Sequence, residues 1–558
     1  MKELIVSILG AAIERARAAG DLSSPAASIG VEAPKDPAHG DIASNVALAM
    51  ARAEKKAPQL IAETIKRYVE LPPEVSEVSV AGPGFINFRM APSYWHSEMR
   101  AAATSGAAFW KPRAWELRPG AGKKIQVEFL SANPTGPLTV GHGRNSVLGD
   151  AVARLYEAAG FDVTREYYFN DGGRQMKLLG ESVRVRYLNE LGIDAPLPED
   201  GYQGEYIRDI ARAMKAEHGD ALLAVADVEI YRAAAVKTIF ADILQTCARL
   251  KIHFDVFTNE LDLMKAGLVD KVLENLRHRA LTVEKDGAIW LRAEPLGLPK
   301  DAVLVRSGAD RQPTYRTPDI AYHIEKLMRG FDLIVDVFGA DHIDEHKQVV
   351  AAVKALGYDT STISAIIYQF VTLTRAGEKV KMSTRKATYV TLDELIDEVG
   401  ADVVRFFFLF RKSDSQLDFD LELAKKQAPE NPVFYVQYAH ARLASIFREA
   451  DKAGLAMPAD PAKINLDLLG AEEMDLARRA LALPDVMTAA AQALEPHRIP
   501  FYLLELAGEF HRYYNKPTNR IIGPDRELSV ARMFVAGILK AAIRGGLDLL
   551  GVSAPERM

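Results

Sequence analysis

The residues best suited to chemistry begin at a turn. Thr139, Gly141, His142 and Gly143 lie between a run that reads as a buried strand, 123–130 (KKIQVEFL), and a run with helical spacing of apolar residues, 147–159. A glycine-rich turn that opens a helix lets a ligand approach the backbone closely and points free amides at negative charge. His142 at such a helix start can hydrogen-bond a phosphate oxygen. On these residues alone a satisfied helix cap explains His142 equally well, and the spacing is neither that of a Walker loop nor GxGxxG. A second group is GEKVKMSTRKATYV, 377–390, where Lys379, Lys381, Arg385 and Lys386 share one polar loop. It is either a solvated charged loop or a mobile clamp on a phosphate in its transition state. It directly follows a candidate strand ending at Val371, and the C-terminal ends of strands are where doubly wound folds bind ligands.

Elements must position these groups, and composition bounds what they can be. At 558 residues the chain is too long for one ordinary core, so several domains are expected. Apolar content of 48% and charged content of 26% fit a globular protein, and a net charge of -6 gives no bulk attraction to nucleic acid. One cysteine, Cys247, excludes an intramolecular disulfide and a cysteine-rich zinc site, and its helical surroundings read as core. The opening MKELIVSILGAAIERARAAG reads as an amphipathic helix rather than a signal peptide. Apolar runs fall short of a membrane span, so a cytoplasmic protein without membrane contact is expected.

Along the chain, helices 1–20 and 45–69 and a strand–turn–strand at 77–90 form a small α+β domain. Candidate strands at 124–130, 162–169, 333–338 and 364–371 alternate with helical stretches, the mark of a parallel sheet. A long helical region from 175 to 285 interrupts them, two short strands follow near 282–291 and 302–306, and the chain turns helical from 401 onward.

Together the motifs are specific. TVGH followed by KMST resembles the HIGH and KMSKS signatures of class I aminoacyl-tRNA synthetases. SANPTGPLTVGHGRN, REYYFNDGGRQM, YRTPDIAYH, GADH, KVKMSTRK, ENPVFYVQYAHARL and the closing APERM resemble arginyl-tRNA synthetase over nearly the whole chain. The expected fold is multidomain α/β: an N-terminal α+β tRNA-binding domain over 1–110, a Rossmann-like catalytic domain over 111–410 with a helical insertion at 175–300, and an all-α anticodon-binding bundle over 411–558.

The resemblance implies a ligase that joins L-arginine to its tRNA through an arginyl-adenylate, releasing AMP and diphosphate. ATP is a substrate, Mg²⁺ accompanies it, no zinc or dedicated metal site is expected, and the chain is expected to be monomeric. It implies Glu128, Ser131, Asn133, His142, Tyr315, Asp319 and Tyr322 for arginine. A carboxylate such as Asp319 also suits a planar cation with five donors, which it can bind bidentately. ATP falls to Gly141, His142, Gly143, Asn145, His342, Lys381, Met382 and Ser383, and catalysis to Thr139, His142, Lys381, Arg385 and Lys386.

Two positions depart from the pattern. Thr139 replaces the first histidine of HIGH, which shifts phosphate work to His142 and helix amides. Thr384 replaces the last lysine of KMSK, so Lys381, Arg385 or Lys386 must supply charge. For tRNA, Phe85 and Asn87 share one strand face, where an aromatic can stack on a base and an amide can read its edge; on the residues alone Phe85 is also open to a place in the core. Tyr435, Tyr438, Arg442, Tyr513, Tyr514 and Asn515 mix aromatic, basic and amide groups suited to unstacked anticodon bases, or the tyrosines are ordinary helix-packing residues. The competing readings are an enzyme that adenylates a small molecule without tRNA and a catalytically silent RNA-binding protein.

Overall fold

The computed structural model describes all residues except 27, 35, 113–116, 118–123, 309–310 and 381–389, and residue 37 by its backbone only. Two compact units result. The first comprises Met1–Phe109, Ala456–Leu481 and Gly523–Ile538; the second comprises Trp110–Leu455, Ala482–Ile522 and Leu539–Met558.

In the first unit, helix Lys2–Ala18 buries Ile5, Ile8, Leu9, Ala12, Ile13 and Ala16, the i, i+3, i+4 stripe of an amphipathic helix. Four strands form a sheet in the order Val31–Glu32, Ile42–Ser44, Phe85–Met90, Val75–Ala81, all neighbours antiparallel. Glycine is required at Gly84, whose φ is +128° and where a Cβ would fall 2.7 Å from the Pro58 carbonyl carbon.

The second unit is built on five parallel strands: β1 Lys124–Glu128, β2 Asp162–Phe169, β3 Val256–Asn259, β4 Leu333–Gly339 and β5 Ile363–Tyr368. Their order is β5-β4-β1-β2-β3. The chain leaves β1 toward β2 on one side and later returns to β4 on the other, so the crevice beyond the ends of β1 and β4 is a topological switch point. Helix α1 (Val140–Ala158) follows β1, α2 (Arg316–Met328) precedes β4 and α3 (Ile343–Ala355) follows it. Buried Arg405 fixes α1: it donates to Asp150 Oδ2, to the Leu250 carbonyl and to the Leu550 carbonyl, each at 2.6 Å.

Several expectations need correction. The insertion expected at 175–300 is interrupted by β3, a four-residue strand too short to carry a periodic signal. The helices between β2 and β3 are Gly173–Glu190, Glu205–His218 and Glu229–Arg249. The strand expected at 364–371 is two strands. Gln369 donates its N–H to the Ser413 carbonyl (2.9 Å), and its own carbonyl accepts from Arg144 (2.5 Å), which takes the chain off the β4 edge. Val371–Arg375 then joins a separate sheet with Glu378–Lys379 and with Leu417–Asp420, a strand within the stretch read as helical. Where two short strands were expected near 282–306 there are three, Thr282–Lys285, Ala288–Leu291 and Ala302–Val305. Cys247 is buried, and no helix of the described residues is long and apolar enough to cross a membrane.

Candidate active site

At the end of β1 the backbone enters the left-handed region at Leu130 (φ 69°) and Ser131 (φ 44°). Asn145 of α1 holds this bend. Its Oδ1 accepts from the Leu130 N–H (2.6 Å), and its Nδ2 donates to the Val337 carbonyl on β4 (2.9 Å). The amide expected to serve ATP therefore splices the two halves of the switch point.

A cavity of about 310 Å³ opens there. Of the residues expected to form the site, Glu128, Ser131, His142, Asn145, Asp319, Tyr322 and His342 line it. Asn133 and Tyr315 are not in its wall. Asn133 Oδ1 accepts from the Asn170 N–H (2.9 Å), and Tyr315, at the start of α2, is 54% exposed.

The cavity is rich in carboxylates, most of them engaged. Lys326 on α2 is fully buried and donates to Asp336 Oδ1 at 2.7 Å and to Glu128. Burial would lower the ammonium's pKa, but the two carboxylates hold it above its ordinary value. Burial would raise Asp336, yet Lys326 and His323 hold it well below the usual carboxylate range. Glu128 Oε1 accepts from the Ser131 hydroxyl (2.9 Å). Glu345 is held low by hydrogen bonding to His342 (3.3 Å), which is raised in turn.

Asp319 differs. Among the described residues no cation or donor meets its carboxylate. Burial raises its pKa well above the ordinary value, and Glu345, Glu128 and Glu260 push it further, with Lys326 opposing. The Tyr322 ring forms an adjoining wall, stacked on Tyr168 at 4.6 Å, while its hydroxyl donates to Glu166 (2.9 Å).

His142 sits in the first turn of α1. Its Nδ1 accepts from the Thr139 N–H at 3.1 Å, so in the neutral ring the proton is on Nε2. Burial lowers its pKa to about 4. His142 at neutral pH is therefore an uncharged donor oriented by Thr139, the residue that departs from the expected motif. A Cβ at Gly141 would meet nothing closer than Thr139 Oγ1 at 3.8 Å. Gly143 corrects the expectation of a nucleotide contact: a Cβ there would point into the core, 2.6 Å from Leu392 Cδ1 and 2.8 Å from Phe408 Cε2. Lys381, Met382, Ser383, Thr384, Arg385 and Lys386 lie outside the described residues.

The sequence reading missed Glu166, Glu260, Lys326 and Asp336. Glu260 is buried and accepts from the Tyr168 hydroxyl (2.9 Å) and Asn170 Nδ2 (2.6 Å). The one available signal was the i, i+4 pairing of Tyr322 with Lys326, whose ammonium lies 4.2 Å from the ring centroid.

Asn87 in the first unit is 3% exposed, which corrects its expected role at a base edge. Phe85 is half-buried. Its strand is paired along both edges, with Ile42–Ser44 and with Val75–Ala81. In the second unit Tyr438 stacks on His511 at 5.6 Å, and the Arg442 guanidinium lies over the Tyr438 ring (5.7 Å) and the Tyr514 ring (4.5 Å). Tyr435 is half-buried against His511 and Asn515 is exposed, whereas Tyr513 is buried and turned to the core, which corrects its expected role in stacking on a base.

Comparison with known proteins gives three matches to family descriptions. "Arginyl tRNA synthetase N terminal domain" matches residues 3–90, "tRNA synthetases class I (R), catalytic domain" matches 110–406, and "DALR anticodon binding domain" matches 436–558. An arginine–tRNA ligase of Desulfotalea psychrophila is 47% identical over 533 residues, covering 95% of this chain and 94% of its own. One from Geobacter metallireducens is 44% identical over 572 residues, covering 100% of both chains. The solved arginyl-tRNA synthetase of Thermus thermophilus shares the fold, with a TM-score of 0.75 at 24% identity over 100% of both chains.

Proposed function

The chain belongs to the class I arginyl-tRNA synthetase family, and from that premise we propose how its cavity carries out ATP-dependent ligation of L-arginine to tRNA. The observation that carries the reading is Asp319, a carboxylate without a cation among the described residues, whose pKa is raised by burial and by Glu345 and Glu128 in the same wall. A guanidinium supplies the missing charge and enough donors for a bidentate pair. Glu128, Ser131 and Tyr322 complete the arginine site within the wall, and Asn133 and Tyr315, outside the wall, join it when arginine binds. Lys326 pairs with Glu128 and fixes it, and Ser131 anchors its other oxygen. A neutral or shorter side chain would strand Asp319, so discrimination needs no editing step.

ATP lies across the start of α1. The His142 Nε2–H and the first-turn amides donate to phosphate oxygens, Gly141 leaves room, and His342 borders the nucleotide. Asn145 acts by holding the bend at Leu130. Lys381, Met382, Ser383, Arg385 and Lys386 supply the remaining contacts and the positive charge. Mg²⁺ enters with ATP as part of the substrate.

The arginine carboxylate attacks the α-phosphorus in line and diphosphate leaves. The 2′-hydroxyl of the tRNA's terminal adenosine then attacks the acyl carbon and AMP leaves. No side chain becomes a nucleophile; positioning and charge stabilisation do the catalysis. Phe85 in the first unit, and Tyr435, Tyr438, Arg442, Tyr514 and Asn515 in the second, meet the tRNA. The domains act as 1–110 for the tRNA's outer corner, 111–410 for chemistry and 411–558 for the anticodon, in a cytoplasmic monomer.

The test is charging of tRNA transcripts with each labelled amino acid. Arginine alone should be transferred, and only to arginine-accepting transcripts. Charging with another amino acid, or arginine-dependent diphosphate exchange with no transfer to tRNA, would overturn the reading.

A further inference from the structure

We propose that His323, Asp336 and His346 form a binding site for one divalent transition-metal ion of the zinc type in the wall of the same cavity. The proposal rests on the geometry of these side chains and not on the arginine reading. His323 Nε2 lies 3.0 Å and His346 Nε2 3.4 Å from the same atom, Asp336 Oδ2. One donor atom from each residue falls within 4.8 Å of the other two. Donors held at 2.0–2.2 Å around a tetrahedral ion are about 3.3–3.6 Å apart. The Asp336–His346 separation of 3.4 Å already has that spacing, and the Asp336–His323 separation of 3.0 Å falls short of it by about 0.3 Å. Two imidazoles and a carboxylate are a zinc-type donor set, and all three residues line the cavity, which leaves a further position open to water.

Hydrogen bonding fixes which lone pairs are available. His323 Nδ1 lies 2.8 Å from the Asp319 carbonyl oxygen, which can only accept, so that nitrogen carries a proton. In the neutral ring Nε2 is then a bare lone pair facing Asp336. A histidine whose far nitrogen donates to a backbone carbonyl is the usual support for a metal ligand. His346 Nε2 is buried and makes no hydrogen bond among the described residues. Its ring is packed between Phe338 and His323, at centroid distances of 4.8 Å and 5.9 Å. With the His346 proton on Nδ1, three electron-rich atoms converge, and either a shared proton or a metal ion joins them.

Charge permits the metal. Lys326 engages Asp336 through Oδ1, the other oxygen, and also pairs with Glu128. Asp319 and Glu345 line the same cavity, so the negative charge there exceeds what Lys326 neutralises.

The experiment uses the full-length protein, stripped with chelator and titrated with Co²⁺ under visible absorption, followed by Zn²⁺. One equivalent of Co²⁺ should give the d–d bands of a low-coordinate ion, and one equivalent of Zn²⁺ should abolish them. His346→Gln, with unchanged circular dichroism and melting temperature, should bind Co²⁺ at least about 100-fold more weakly. His323→Gln should behave alike. No bands in the wild type, or bands that survive in a folded His346→Gln protein, would overturn the metal site and leave a shared proton as the occupant.

Discussion

Replacing Asp319 with asparagine separates recognition from stability. The substitution preserves shape and removes charge. A guanidinium on a carboxylate makes two charge-assisted hydrogen bonds of about 1.5–3 kcal/mol each, so the gross loss is about 3–6 kcal/mol. Two effects reduce it. Asparagine keeps one acceptor oxygen, and the wild type must keep a carboxylate ionised beside Glu345, Glu128 and Glu260. A net loss of about 3–4 kcal/mol lowers kcat/KM for arginine by about 10²–10³. Stability should move the other way. A carboxyl whose pKa is raised by folding binds more protons in the native than in the unfolded state, so it destabilises the fold as pH rises through the window above the ordinary carboxylate range. Asparagine lacks that effect, so at pH 8 the variant should melt at or above the wild-type temperature. The assay is tRNA charging over a range of arginine concentrations, with thermal unfolding at pH 6 and pH 8. A kcat/KM within tenfold of wild type, or a melting temperature several degrees lower, would refute the assignment of Asp319 as an unpaired recognition carboxylate.

Three further outcomes follow from the same geometry. His142 has its pKa lowered to about 4, so its contribution to stability is complete above the ordinary histidine value and is lost as pH falls toward 4; the charging rate between pH 6 and 8 should show no inflection that His142→Ala removes, while that variant lowers kcat by about 10²–10³. Gly141→Ala should leave the melting temperature unchanged and raise KM for ATP at least about tenfold, whereas Gly143→Ala, with its Cβ 2.6 Å from Leu392 Cδ1, should cost about 1–3 kcal/mol in denaturant unfolding. Tyr438→Ala should raise KM for tRNA by the equivalent of about 1–3 kcal/mol of base stacking and leave arginine-dependent binding of ATP analogues untouched; an unchanged tRNA KM would remove Tyr438 from the interface.

Sequence alone carried the architecture where periodicity is long and local. The alternation of apolar strands and amphipathic helices gave the parallel sheet, and the turn at 139–143 marked the start of α1. It lost β3 and the break at Gln369, because a four-residue strand has too few positions to show a period and the break is made by Arg144 and Ser413, distant in sequence. The site divided in the same way. Asp319, His142 and Tyr322 were legible as residue types able to meet a cation or a phosphate. Their electrical states were not. His142 is neutral because burial disfavours its charged form, Asp319 is raised by burial and by carboxylates from three other segments, and Lys326 is charged and buried because Glu128 and Asp336 flank it. Asn87, Gly143 and Tyr513 look available by type and are turned inward by packing. A sequence states which groups can ionise, stack or bend. Which of them face a ligand, and with what charge, depends on solvent exclusion and on neighbours brought within a few ångströms by folding, and only the tertiary structure decides that.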